Sequence, residues 1–158
     1  MSDFFKAAFA ISIPLGGCFI NSIFVKPLED KWFQTLKRPC FSPPGYVFAP
    51  IWIMLYTSMG YSSYILWKEG NGFTDKTILP FALYGFQLIL NLAWPTIFFK
   101  KHQIGWAFVN ISVLYVNALL CILKFRPISV KASNLLIPYI SWLTLASALN
   151  FRLWMLNR

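Results

Sequence analysis

The stretch that decides the fold class is residues 103–123, QIGWAFVNISVLYVNALLCIL, a run of 21 side chains of which none is ionisable. A helix of about 20 mostly apolar residues crosses a hydrocarbon core of roughly 30 Å. Four further runs also lack Asp, Glu, Lys, Arg and His: residues 7–25, 39–67, 77–99 and 132–151. Because helices on the outside of a soluble protein carry charge on their solvent face, the pattern predicts a membrane protein rather than a soluble helical one.

The predicted fold is an all-α membrane protein, a single domain over residues 1–158 that forms a bundle of five transmembrane helices. The spans are expected at about residues 5–25, 45–67, 77–99, 103–123 and 132–152. Most connectors are short, so consecutive helices should be antiparallel neighbours.

The first connector, residues 26–44, is the long one. Pro27 can open a short helix in which Leu28, Trp32 and Leu36 share one apolar face. We expect this segment to cap one mouth of the bundle, and the alternative is an interfacial helix that rests on lipid.

The net charge of +9 is spread over every connector, so juxtamembrane attraction to anionic lipid explains it better than nucleic acid. If the spans alternate, eight basic residues lie on the side of the first connector and the C-terminus, against six on the other side. This small excess places the first connector and the C-terminus in the cytosol.

The sequence lacks the residues that several kinds of transport and catalysis need. No ionisable side chain lies in the uncharged runs, which disfavours proton-coupled pumping and charged selectivity rings. The histidine, His102, lies in a short connector, and the three cysteines have no metal-binding spacing. We therefore expect no metal and no required cofactor, and no acid–base catalysis.

Aromatic and amide side chains recur at helical spacing in three of the runs, so each set shares a helix face. The sets are Trp52, Tyr56, Ser63 and Trp67; Gln87, Asn91, Trp94 and Phe98; and Tyr139, Trp142, Ala146 and Leu149. Because an unpaired amide is costly in a span, Gln87 and Asn91 should face inward. These faces could line a pocket for a flat, mainly apolar ligand, or they could be plain helix packing.

The chain closely resembles the tryptophan-rich translocator protein family (TspO/MBR, the peripheral-type benzodiazepine receptors). The resemblance rests on PCFSPPGYVFAPIWIMLYTSMGYSSYILWKEGNGFTDK, QLILNLAWPTIFFKKHQIGWA and PYISWLTLASALNF. Within them, W-x-x-L-Y-x-x-M-G at residues 52–60 and N-x-x-W-P-x-x-F-F at residues 91–99 form a specific combination. The residues within these stretches are similar to those of animal mitochondrial members, which implies that the protein lies in the mitochondrial outer membrane.

The resemblance implies a ligand site inside the bundle near the first connector. Its ligands would be porphyrins such as protoporphyrin and heme, benzodiazepine-type drugs and, as ascribed to animal members, cholesterol. By motif, the ligand-binding residues would be Phe33, Phe48, Ala49, Trp52, Asn91, Trp94, Trp106, Trp142, Ala146 and Leu149. The tryptophans that match Trp52 and Trp142 are implicated in light-dependent porphyrin breakdown in bacterial relatives.

Two family features are altered here. The sterol motif around Leu149, Phe151 and Arg152 has phenylalanine where the family has a central tyrosine. In the third span, Ala82 and Phe86 stand where animal members often have the glycines of a G-x-x-x-G dimer contact, which puts a homodimer through that contact in doubt. The leading interpretation is a receptor and translocator; the alternatives are a porphyrin-degrading enzyme and a membrane scaffold.

Overall fold

The structure, a computed structural model, describes residues 2–24 and 31–158, and this part is helical. Five long helices are α1 (Asp3–Phe24), α3 (Gly45–Glu69), α4 (Asp75–Pro95), α5 (Ile104–Phe125) and α7 (Ile137–Asn157). Two short ones, α2 (Lys31–Thr35) and α6 (Val130–Asn134), lie in connectors, and a π-helical turn, Thr96–Lys100, extends α4. Residues Pro27 and Leu28 of the predicted cap lie outside the described residues.

Four of the predicted spans coincide with helical segments long and apolar enough to cross a membrane: Asp3–Ile23, Asp75–Lys100, Ile104–Phe125 and Val130–Asn157. The remaining helix, α3, has 25 residues and is long enough, but its tyrosines, serines and glycines lower its mean hydropathy. An uncharged sequence is therefore not always a strongly apolar one. The chain is a multi-pass membrane protein, and the span over residues 45–67 stays a prediction.

The serines of α3 explain how a less apolar helix fits the bundle. Ser58 Oγ donates to the Leu135 carbonyl at 2.7 Å, and Ser62 Oγ donates to the Ala132 carbonyl at 2.6 Å. Both acceptors lie in or just after α6. The hydroxyl groups are therefore paired with backbone of the last connector instead of facing hydrocarbon.

Helix α1 packs along α3, α4 along α5, and α5 along α7. The α1–α3 contact is so close at Gly60 that a Cβ atom there would lie 2.5 Å from the Ile11 Cα. The main core contains fully buried side chains from α3, α5 and α7, among them Met59, Leu66, Leu114, Cys121, Phe125, Tyr139 and Leu143.

Contacts at the two ends of the bundle agree with the expectation that successive connectors lie at alternating ends. At one end Lys68 Nζ pairs with Asp3 at 2.5 Å, and Lys6 lies over the Trp67 ring. At the other end, Asn157 of α7 contacts Lys37 of the first connector. The N-terminus and the start of the second connector thus share one end, and the first connector and the C-terminus share the other.

Candidate ligand-binding site

Aromatic rings of α3 and α7 meet inside the bundle. The Trp52 and Trp142 rings, here called the tryptophan pair, are perpendicular with centroids 6.5 Å apart. Phe48 contacts the Trp142 ring edge-on at 5.6 Å, and Tyr56 stacks on Trp52 at 5.5 Å. Residues 48, 52 and 56 are spaced by four, so one face of α3 presents all three rings to α7. Both tryptophans are half-buried beside the main core.

Helix α4 contributes amides on the face that sequence analysis predicted to be inward. Asn91 Nδ2 donates to the Tyr139 hydroxyl at 2.5 Å, which joins α4 to α7. One turn earlier, Gln87 is 0% exposed, and neither its Nε2 nor its Oε1 has a hydrogen-bond partner among the described residues. A buried amide without partners costs about 1–3 kcal/mol or more, which makes Gln87 an unusual core residue.

Two further polar atoms in this core are buried without a partner in the described part of the chain. They are the Trp142 indole Nε1, a donor, and the Tyr84 hydroxyl, which lies one turn from Gln87 on the same face of α4. Together with the Gln87 amide they supply donors and acceptors inside an otherwise apolar wall. This combination suits an apolar ligand that carries a few polar groups.

Trp94 links this region to a second cluster near the first connector. Its ring stacks on Phe98 at 4.9 Å, and its indole Nε1 donates to Asn150 Oδ1 at 2.8 Å. Asn150, which is 2% exposed, in turn donates to the Ile104 carbonyl at 3.1 Å. The Trp94 ring is therefore held by the π-helical turn and by α7, and Asn150 extends this link to the start of α5.

The first connector closes over the π-helical turn. Trp32 of α2 contacts Phe98 edge-on at 5.7 Å and stacks on His102 at 4.1 Å. Phe33 contacts Phe98 at 5.9 Å and Phe99 at 5.3 Å. We call Trp32, Phe33, Phe98 and Phe99 the cap cluster. Its contacts show that the described part of the connector packs on the protein.

A pair of hydrogen bonds fastens the connector to the last helix. Asn157 Oδ1 accepts from the Lys37 backbone N–H at 3.0 Å, and Asn157 Nδ2 donates to the Lys37 carbonyl at 3.0 Å. Sequence reasoning missed both Asn157 and Asn150. The rule that turned Gln87 and Asn91 inward, that an amide in a span needs a partner, would have singled out Asn150 as well.

Most of the predicted ligand-binding residues fall into these two clusters. Phe48 and Trp52 each contact Trp142, and Ala146 packs against the same core. Phe33 and Trp94 lie in or beside the cap cluster. Asn91 and Leu149 are buried in the bundle.

Trp106 and Ala49 lie away from the two clusters, and their part in ligand binding stays a prediction. Trp106 is 68% exposed, because it shares the outer face of α5 with Val109 and Val113, whereas its neighbour Ala107 is buried. Ala49 is exposed on the face of α3 that carries Tyr46 and Ile53. A sequence motif assigns a residue its position in the chain, but it does not fix which side of the helix that residue faces.

The residues of the sterol motif point in different directions. Leu149 is buried, whereas Phe151 is partly exposed and packs against Phe108 at 5.4 Å. Arg152 is exposed at the same end of α7. Positions 149 and 151 are about 200° apart around a helix, so one ligand cannot lie along both side chains on a single face.

Within the described residues, no group of three His, Cys, Asp or Glu side chains could hold a metal ion. The described site offers aromatic faces, amides, an indole N–H and a hydroxyl. Such groups bind and orient a ligand.

Comparison with known proteins identifies the family of this chain. Residues 10–155 match the TspO/MBR family. The chain is 42% identical to the translocator protein of Homo sapiens over 141 residues, 89% of this chain and 83% of that one. It is 40% identical to the translocator protein of Ovis aries over 146 residues, 92% and 86% of the two chains. It is 36% identical over 139 residues to the tryptophan-rich protein TspO of Archaeoglobus fulgidus, 88% of each chain. The chain therefore belongs to the TspO/MBR family.

Proposed function

We propose that this protein is a membrane receptor that binds porphyrins, such as protoporphyrin and heme, between α3, α4 and α7. Exchange of the ligand would make it a translocator that works passively or with a partner protein. Sterols and benzodiazepine-type drugs are proposed as further ligands of the same site, and the mitochondrial outer membrane as its location. The names of the animal relatives support a translocator role.

The observation that carries the proposal is the wall made by the tryptophan pair together with unpartnered polar groups behind it. A porphyrin is a flat, conjugated ring with two carboxylates. The rings of Trp52 and Trp142 offer faces and edges for stacking. The Gln87 amide and the Trp142 indole N–H, both without partners among the described residues, would give the ligand its orientation.

The proposal includes α3 as a fifth span. Its 25 residues would extend about 37 Å, which exceeds the hydrocarbon core. Residues 39–67 carry no ionisable side chain, and the hydroxyls of Ser58 and Ser62 are paired internally. A helix with these properties can cross a bilayer despite its moderate mean hydropathy.

The test is a titration of purified protein with protoporphyrin, followed by the ligand's own absorbance so that removal of a tryptophan does not remove the signal. Trp142→Ala should weaken binding about 2- to 13-fold through lost stacking alone, and further through lost burial. Trp106→Ala is the matched control, because that exposed tryptophan lies away from the tryptophan pair and the cap cluster, and it should leave the affinity unchanged. Equal affinity of wild type and a folded Trp142→Ala variant would refute the site.

A second candidate function is light-dependent porphyrin breakdown. The contact between Trp52 and Trp142 favours it, because two adjacent indoles could exchange an electron with an excited ligand. Dioxygen would be the oxidant. Illuminated protein should then bleach the porphyrin band, Trp52→Phe should abolish bleaching, and samples kept in the dark should be stable. Binding without bleaching supports the receptor alone, and absence of saturable binding supports a scaffold.

A further inference from the structure

A groove on the outside of the bundle lies apart from the proposed porphyrin site. It has a volume of about 590 Å³ and runs between the π-helical turn and the first two turns of α5. Its walls are formed by Ile97, Lys101, Gln103, Trp106, Val109 and Asn110. The groove is open to the surroundings of the protein.

The lower part of the groove is apolar and continues along α5. Below Trp106 and Val109, the exposed side chains on this face recur every three or four residues: Val113, Val116, Leu120 and Leu123. Residues 104–123 contain no ionisable side chain. An acyl chain could follow this stripe from the groove into the membrane core.

The upper part of the groove is polar and cationic. Lys101 and Gln103 are exposed at its mouth, and Lys101 makes no ion pair with any described residue. The described acidic side chains, Asp3, Glu69 and Asp75, all belong to the opposite end of the bundle, and Glu29 and Asp30 lie outside the described residues. Among the described residues, the charge at the mouth is therefore positive, which suits an anion.

Asn110 introduces an amide below this mouth. It lies six residues, or about 9 Å, along α5 from Ile104, and its Oδ1 is buried without a partner among the described residues. That depth corresponds to the ester region beneath a lipid phosphate. Only the Nδ2 group of this amide can donate to an ester carbonyl there, whereas the buried Oδ1 is an acceptor that suits a headgroup hydroxyl, such as that of glycerol.

We propose that this groove binds one anionic phospholipid. The phosphate contacts Lys101 and Gln103, Trp106 lies at the level between the phosphate and the ester group, an ester group contacts Asn110, and one acyl chain follows the stripe below Val109. From its mouth inward, the groove presents a cation, an interfacial indole, an amide and an apolar stripe. A phospholipid presents its groups in the matching order, from headgroup to acyl chain. The inference does not depend on porphyrin binding.

The experiment uses protein in phosphatidylcholine nanodiscs that contain chain-brominated phosphatidylglycerol or, separately, chain-brominated phosphatidylcholine. The signal is the fluorescence of Trp106, taken as the difference between wild type and Trp106→Phe. The anionic lipid should half-quench this signal at a mole fraction about fivefold lower than the zwitterionic lipid. Lys101→Gln should abolish the difference, whereas Lys101→Arg and the control Lys76→Gln, at the opposite end, should keep it.

Four outcomes would overturn the proposal. Equal quenching by the two lipids, or an undiminished preference in Lys101→Gln, would mean ordinary lipid around the helix. Displacement by inorganic phosphate at matched ionic strength would identify a free-phosphate site instead of a lipid site. Quenching by neither lipid would mean that a second copy or another protein covers the groove.

Discussion

Asn150 shows how much one amide can do in this bundle. It accepts a hydrogen bond from the Trp94 indole and donates one to the backbone of α5, so a single buried side chain joins three helices. Asn150→Ala should lower the free energy of unfolding by about 1–3 kcal/mol, because the Trp94 N–H loses its partner in a buried place. Equilibrium unfolding in mixed detergent micelles measures the change.

Asn134→Ala provides the control for Asn150→Ala, because Asn134 is exposed in α6. We expect the control to change stability by less than about 0.5 kcal/mol. Similar values for the two variants would show that the Trp94–Asn150 bond does not stabilise the fold.

At the scale of residues, the sequence predicted side chains whose chemistry forces a direction. Gln87 and Asn91 had to turn inward, and their spacing carried Trp94 and Phe98 with them. Trp106 has no such constraint, because an indole side chain is stable both in a protein core and at a membrane interface. Its direction depends on how α5 is rotated against α4 and α7, which no local pattern records.

The α1–α3 contact depends on a glycine. A methyl group at Gly60 would lie 2.5 Å from the Ile11 Cα and 2.8 Å from the Ala10 carbonyl oxygen. Because backbone cannot move aside as a side chain does, Gly60→Ala should separate the helices and destabilise the protein by about 1–3 kcal/mol. The midpoint of thermal unfolding in detergent measures this effect.

Gly85→Ala is the matched control for Gly60→Ala, because nothing lies within 4 Å of a Cβ atom at Gly85 in α4. It should be neutral or slightly stabilising, since alanine is the better helix former. A loss of stability as large as that of Gly60→Ala would show that the close approach is not the cause.

The first connector should control ligand exchange. Trp32 anchors α2 on Phe98 and His102, and Asn157 anchors the end of the connector through two hydrogen bonds. Trp32→Ala and Asn157→Ala should each speed porphyrin dissociation by about fivefold, as expected for losing about 1 kcal/mol of contact, and change association less.

Stopped-flow mixing of the porphyrin-loaded variants with excess apo acceptor protein measures these dissociation rates. Arg158→Ala, at the exposed last position, is the control and should leave them unchanged. Unchanged rates in both test variants would show that the connector does not stand between the ligand and solvent.

At the scale of elements, the predicted spans overlap all five long helices, but α7 begins and ends five residues later than its predicted span, and the composition of each helix differs. Absence of charge marked α3, yet with residues such as Tyr56, Ser58 and Ser62 it is not among the described helices that are apolar enough to count as candidate membrane spans. Pro138 lies at the start of α7, where its missing N–H costs nothing. The helix type changes after Pro95, where the π-helical turn begins.

Across the part of the molecule that the structure describes, the Asp, Glu, Lys, Arg and His side chains lie at the two ends. The uncharged runs separate them, and His102 is exposed in the connector between the π-helical turn and α5. Carrying a proton through the centre unaided would be expensive. Sealed vesicles that contain the protein should therefore accumulate no porphyrin against a gradient when a pH difference is imposed. Uphill uptake that disappears in His102→Gln would contradict this expectation.

The hydrogen bonds of Asn157 also say which residues the first connector can tolerate. Both bonds end on the backbone of residue 37, and the Lys37 side chain takes no part in them. These two hydrogen bonds therefore do not depend on which side chain stands at position 37, as long as that residue has a backbone N–H to donate. Nineteen of the twenty standard residues satisfy this condition and proline does not. Most substitutions at position 37 should therefore leave the first connector attached to α7. A substitution at position 157, in contrast, weakens the attachment of a residue 120 positions away in the chain.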